Sequence, residues 1–166
     1  MRPELHRPVP LDRIGPAGLA FSVDGTQAEC AALAERLAIP AVASLHCRWM
    51  LRRAGPAGTV EAEGQLEARV TRTCVVSTED FEADIAETFS IRFVPSGQEN
   101  DDPDPESLDE IPYEGGSLDL GDASAEQLAL ALDPFPRAPG ATLPEQHAEG
   151  AEPNPFAALI ERRDPN

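Results

Sequence analysis

The groups in this 166-residue chain with chemistry to offer are three cysteines, three histidines, thirteen cations and thirty carboxylates, and every cation is an arginine. Without lysine there is no Walker A lysine, Schiff-base lysine or lysine base, which excludes P-loop NTPases and lysine-anchored pyridoxal enzymes. Cys30, Cys47 and Cys74 are odd in number, and their separations fit neither a disulfide framework nor a zinc-ligand set. A reducing cytoplasm is the expected compartment. His6, His46 and His147 lie in unrelated contexts, and His46 and Cys47, adjacent on an alternating segment, must point to opposite faces. No Ser/His/Asp or Cys/His set assembles from local motifs, so no catalytic residue and no cofactor are assigned. The glycines at 115, 116 and 121 do not form G-x-G-x-x-G and read as a turn and the start of a helix.

Charge is the larger signal. The formal net charge is −17, yet residues 1–78 hold nine arginines against eight acids, and residues 79–166 hold four against 22. Ten acids fall between Glu99 and Asp122, among them Asp101, Asp102, Asp104, Glu106, Asp109 and Glu110, with no cation among them. A calcium loop needs a glycine at its sharp turn and a glutamate at the twelfth position; here prolines stand at 103 and 105 and no glycine sits at the required turn with a glutamate at the twelfth position. The run reads instead as a solvated acidic loop, about residues 95–110, whose functional form is an electrostatic contact with a basic partner. Such a chain repels phosphate and membrane surfaces and lacks the footprint of a stand-alone DNA binder. Arg48, Arg52, Arg53, Arg69 and Arg72 cluster around one hairpin, as ordinary surface arginines or as a small patch for RNA.

The elements that must position these groups follow from periodicity. Leu5, Val9 and Leu11, then Leu19, Phe21 and Val23, suggest two short strands, the first at an edge because Pro3, Pro8 and Pro10 cannot donate to a ladder. Thr26-Gln27-Ala28-Glu29 has capping-box spacing before the apolar stripe Cys30, Leu33, Ala34, Leu37, predicting a helix over about 27–38 that ends before Pro40. Residues 41–54, 60–70 and 81–93 alternate with period two, predicting a meander with one buried and one wet face. Glu87 interrupts the inward set Phe81, Ala83, Ile85, Phe89, Ile91 and Phe93; a β-bulge would rotate it outward, and the alternative is a buried carboxylate paired with an arginine. Order should return at Ile111-Pro112-Tyr113, and a helix is expected over Ser124–Leu132, capped by Ser124 or Asp122 and ended by Asp133-Pro134.

The expected class is therefore α+β: an antiparallel sheet or partly closed barrel of about five strands, with a covering helix, an acidic loop and C-terminal helices. Residues 1–135 read as one domain and 136–153 as a proline-rich linker. Residues 154–163 read as a short helix opened by Asn154 and Pro155, with a stripe of Phe156, Leu159 and Ile160. That last helix is either a latch on its own domain or a partner-binding motif. The start of the chain has no apolar stretch like that of a secretory signal, and nothing approaches the roughly 18 uncharged apolar residues of a membrane span.

Three stretches together resemble the YceD family, the bacterial and plastid large-ribosomal-RNA-accumulation proteins, in the form of the alphaproteobacterial branch. They are Val70-Thr-Arg-Thr-Cys74-Val-Val-Ser-Thr-Glu-Asp-Phe81, Leu118-Asp119-Leu120-Gly121 with Glu126-Gln127-Leu-Ala-Leu-Ala-Leu-Asp133-Pro134, and Asn154-Pro-Phe-Ala-Ala-Leu159. The resemblance covers the chain from about residue 40 to the end. It implies a non-enzymatic role in 23S rRNA accumulation and large-subunit biogenesis, beside a gene for a small basic large-subunit protein. Many relatives carry Cys-x-x-Cys at the strand end; here Cys74 matches the first position and Ser77 occupies the second, so no metal is carried over. The expected partners are a basic ribosomal protein, 23S rRNA or a pre-50S particle, with no small-molecule substrate. The alternatives are an acidic chaperone dedicated to one basic ribosomal protein and an enzyme dependent on Cys74.

Overall fold

Strict alternation of burial is clearest in the central strand. Every second residue from Val60 to Val70 is buried and the intervening ones are exposed, along a strand β4 of Val60–Thr73. It lies between β3, Ala41–Arg53, and β5, Asp80–Pro95, and both pairings are antiparallel, as the periodicity predicts. The computed structural model describes residues 4–55, 58–99 and 107–142. Strand β2, Leu19–Asp24, flanks β3 and strand β6, Asp109–Tyr113, flanks β5, giving the order β2-β3-β4-β5-β6. The sheet is open, not a barrel, and the architecture is α+β.

The sheet departs from the expectation in two places. Strand β6 is parallel to the last five residues of β5, with Ile91 opposite Asp109 and Pro95 opposite Tyr113, so the sheet is mixed. Glu87 is neither rotated outward by a bulge nor buried. The β4–β5 register runs unbroken from Val60–Phe93 to Thr73–Asp80, and Glu87 stands exposed opposite Leu66 on the core-side face. It tolerates that position because among the described residues β6 reaches only the far end of β5 and leaves this stretch at an edge. The bulge lies in β3 instead. The register shifts between Val42 and Ser44, which brings both Val42 and Leu45 into the core although they are three residues apart.

Helix α1, Gln27–Arg36, has the expected capping box: Glu29 N–H donates to the Thr26 hydroxyl at 3.3 Å, and Thr26 N–H donates to the Glu29 carboxylate at 2.8 Å. Its C-terminus closes with a bond from Ile39 N–H to the Ala34 carbonyl, which places Ala38 in the left-handed region at φ 52°. The helix packs on β3. Helix α2 runs from Leu120 to Ala131, four residues earlier than expected, and its N-cap is Asp119, not Ser124 or Asp122. The Asp119 carboxylate accepts from Gly121 N–H at 3.1 Å and Asp122 N–H at 3.3 Å. Ser124 is fully buried within the helix, where its hydroxyl donates to the Leu120 carbonyl and accepts from the Trp49 indole at 3.0 Å.

The N-terminal strand β1, Pro8–Pro10, pairs antiparallel with β7, Ser117–Asp119, in a separate two-stranded sheet, with Val9 and Leu118 buried between them. Its prolines therefore do sit at an edge. The core joins both layers: Leu45, Cys47, Trp49, Leu51, Leu66 and Phe93 from the sheet meet Leu33 from α1 and Leu120 and Leu128 from α2. Residues 143–166, which include most of the expected linker and the whole expected C-terminal helix, lie outside the described residues.

Candidate functional site

Strand β7 delivers the chain into α2 at Asp119, and the parallel placement of β6 sets Glu110–Tyr113 facing the start of that helix. Between them opens a cleft of about 470 Å³. Its lining includes five carboxylates, Glu110, Glu114, Asp119, Asp122 and Glu126, together with His6 and an apolar group of Phe93, Ile111, Pro112 and Tyr113. On the helix, Asp119, Asp122 and Glu126 follow i, i+3, i+7 spacing and so share a face. The Tyr113 hydroxyl donates to the Gly58 carbonyl at 2.6 Å, which ties β6 to the β3–β4 turn and fixes that side of the cleft.

The carboxylates are used differently. Asp119 is structural: besides capping α2 it accepts from Arg7 N–H at 2.8 Å and bonds the His6 ring. Asp122 pairs with Arg36 of α1 at 3.2 Å, and Glu110 lies 3.6 Å from Arg92. Glu114 and Glu126 have no ion pair among the described residues. Burial, and secondarily the charge of Asp122, push the Glu126 carboxyl above its ordinary range. A cleft that combines a half-buried carboxylate, an exposed one and an aromatic wall suits a lysine or arginine side chain, whose methylene stem packs on the wall while its head neutralises the acids.

The other candidate positions separate. Asp109 is exposed at the start of β6, whereas Asp101, Asp102, Asp104, Glu106, Asn154, Pro155 and Phe156 lie outside the described residues. Arg48 and Arg52 share the wet face of β3, but this face is not a basic patch: Arg48 pairs with Glu67 at 3.2 Å, and Arg52 lies in register with Glu61. Arg69 likewise pairs with Asp84 at 2.8 Å. Arg53 donates to the carbonyls of Ile14 and Leu11, and Arg72 to that of Asp133, so both fasten loops. Leu120 belongs to the core, and Gln127 and Asp133 lie on α2 and just beyond it.

Cys74 occupies a turn after β4. Its sulfur is buried and faces the amides of Val76 and Ser77 at 3.4 Å each. The Ala138 amide, the Ser77 side chain and these N–H groups lower its pKa from 9.0 to about 6. Cys47, buried beneath α2, is pushed up to about 11 by burial. The described residues contain no group of three or more His, Cys, Asp or Glu arranged to hold a metal, and no described helix is long and apolar enough to cross a membrane.

Sequence reasoning singled out Glu110 as a partner contact and Asp119 and Glu126 as family-motif positions, counted Glu114 and Asp122 only within the acidic run, and associated none of them with one another or with His6. The i, i+3, i+7 acids were the available signal, concealed by placing the start of α2 at Ser124.

Fold and cleft together define an acidic α+β protein whose open mixed sheet carries a carboxylate-lined cleft beside a two-stranded flap. The chain belongs to the YceD family: residues 62–161 match the family described as large ribosomal RNA subunit accumulation protein YceD. The matched interval runs from β4 through α2 and includes Cys74, Asp119, Leu120, Glu126, Gln127, Asp133 and Pro134. No curated protein and no solved structure matches the chain.

Proposed function

We propose that this protein supports accumulation of 23S rRNA during large-subunit assembly, as a non-enzymatic cytoplasmic factor that binds a basic ribosomal protein or a pre-50S particle. Family membership carries the reading. Deleting the gene and quantifying 23S against 16S rRNA tests it: the ratio should fall, and an unchanged ratio refutes the role.

The cleft favours one form of this function, a chaperone dedicated to a basic large-subunit ribosomal protein. Carboxylates on a half-apolar wall recognise an arginine or lysine side chain and disfavour phosphate. Any direct RNA contact would run through Arg48 and Arg52, two of the arginines on the wet sheet face. Pull-down followed by identification of the captured molecule separates the two: both contacts weaken with ionic strength, but a carboxylate-mediated contact retains protein and an arginine-mediated one retains rRNA. The acids at 101, 102, 104 and 106 and the segment opened by Asn154, Pro155 and Phe156 are further proposed contacts for the same partner.

A further inference from the structure

Strand β5 is sixteen residues long, and β6 covers its outer edge only from Ile91 to Pro95. From Phe81 to Ser90 that edge has no strand partner among the described residues. An unpaired edge of this length is normally a hazard, since any extended chain can add to it. Two features show how this one is guarded and what it admits. Glu79, Asp80, Glu82, Asp84 and Glu87 are all exposed along it, and the stretch contains no cation. Asp84 alone is neutralised, by Arg69. On the core side, Phe81, Ile85 and Phe89 are only half-buried, and a cavity of about 250 Å³ opens between Phe81, Ala83, Ile85 and Pro136, with Arg72 and Arg137 beside Asp84 and Asp133 in its lining.

The alternation defines a complementary strand. Core-side positions 81, 85 and 89 call for apolar residues, and position 87, set between them, calls for a cation. On the wet face, position 82 calls for a cation as well, and position 84, already paired with Arg69, tolerates one. A second copy of this chain fails the requirement, because antiparallel self-pairing of the edge opposes acids with acids or neutral residues and supplies no cation. Neutral or acidic strands are rejected by Glu87, an inward carboxylate of the kind that blocks indiscriminate edge pairing.

We propose that the Phe81–Ser90 edge of β5 is a β-addition site for an extended, arginine- or lysine-bearing segment of a protein partner, which extends the sheet as a strand antiparallel to β5. Backbone ladder bonds supply the affinity, the acids select a cationic segment, and Phe81, Ile85 and Phe89 fix its register. The site is separate from the acidic cleft and stands whether or not the ribosomal role does.

The test uses the full chain, labelled with ¹⁵N, and the synthetic peptide Val-Thr-Arg-Ser-Val-Arg-Ala-Lys-Val, which places cations opposite Glu87, Asp84 and Glu82. Amide signals of residues 80–90 should shift and their hydrogen exchange should slow. Of two peptides N-methylated at alternate amides, one should lose at least about tenfold in affinity and the other should retain it, the parity expected of an added strand. The exposed double change Glu82→Lys/Glu87→Lys should lose about tenfold or more as well. Shifts confined to residues 108–126, or equal binding by both N-methylated peptides, would overturn the proposal. So would protection of 81–89 already present in the free protein and lost either on dilution, which indicates a second copy, or on truncation after Thr142, which indicates the chain's own C-terminal segment.

Discussion

Gly64 lies in register between Trp49 on β3 and Phe89 on β5, and the two rings meet across it with centroids 5.0 Å apart at 75°. A Cβ on residue 64 would stand 2.1 Å from the Phe89 Cζ and 2.4 Å from its Cε2, so Gly64→Ala must displace the ring. Edge-to-face packing of this kind contributes roughly 1 kcal/mol, and losing the burial of a half-covered phenylalanine costs about another 1 kcal/mol. Replacing glycine restores roughly 0.5 kcal/mol by restricting the unfolded chain. The expected net loss is about 1–2 kcal/mol, read as a lower midpoint in urea at unchanged slope. Trp49 is the only tryptophan, so its emission reports the displaced ring directly. The decisive comparison is the double-mutant cycle: in a Phe89→Ala background, Gly64→Ala should become neutral or stabilising. An equal cost in both backgrounds would refute the idea that glycine is there to admit the ring.

Ser124→Ala leaves the buried Trp49 indole N–H without its acceptor and should cost about 1–3 kcal/mol in urea unfolding. Asp119→Ala removes the α2 cap and the anchor of Arg7 N–H; a loss of about 1–2 kcal/mol is expected, with faster amide exchange in residues 5–10. Arg7 donates twice to Glu29, at 2.8 and 2.9 Å, and with the Thr26 amide and hydroxyl lowers the Glu29 carboxyl from 4.5 to about 2. The folded state favours the carboxylate, so this contribution is complete above pH 4.5 and disappears as pH falls toward 2. The stability gap between wild type and Arg7→Gln should therefore be about 1–2 kcal/mol at neutral pH and close over that window. For Cys74, thiolate absorbance should titrate near pH 6 and vanish in Cys74→Ser, while Cys47 titrates near 11. The contribution of the Cys74 thiolate to stability is present above the ordinary 9.0 and is lost as pH falls through about 6.

Local pattern sufficed where local forces act. The capping box that starts α1 is made by residues three apart, and burial alternates along β4, and along β3 and β5 apart from the bulge at 42–44 and the exposed Glu87, because side chains in any strand point to opposite faces. Start of α2 was illegible for the opposite reason. Gly121 is a poor helix former, and it is tolerated in the first turn because a Cβ there would stand 2.5 Å from the Leu5 carbonyl oxygen, a neighbour more than a hundred residues away in sequence. With that turn unrecognised, Ser124 looked like a cap when it is a buried acceptor for Trp49.

Composition and periodicity by themselves determined the α+β class and the antiparallel meander of β3, β4 and β5, the absence of lysine chemistry and the concentration of acid in the second half, because these depend on residue identity and spacing alone. Tertiary structure decided which acids act together. The β1–β7 pairing and the parallel β6 bring His6, Glu110, Glu114 and Glu126 around one cleft, and of the arginines that sequence order had suggested as a basic patch Arg48 and Arg69 pair with cross-strand carboxylates while Arg53 and Arg72 bind backbone carbonyls. Charge interactions are set by distance in space, and only the fold converts a net charge into a surface that faces a partner.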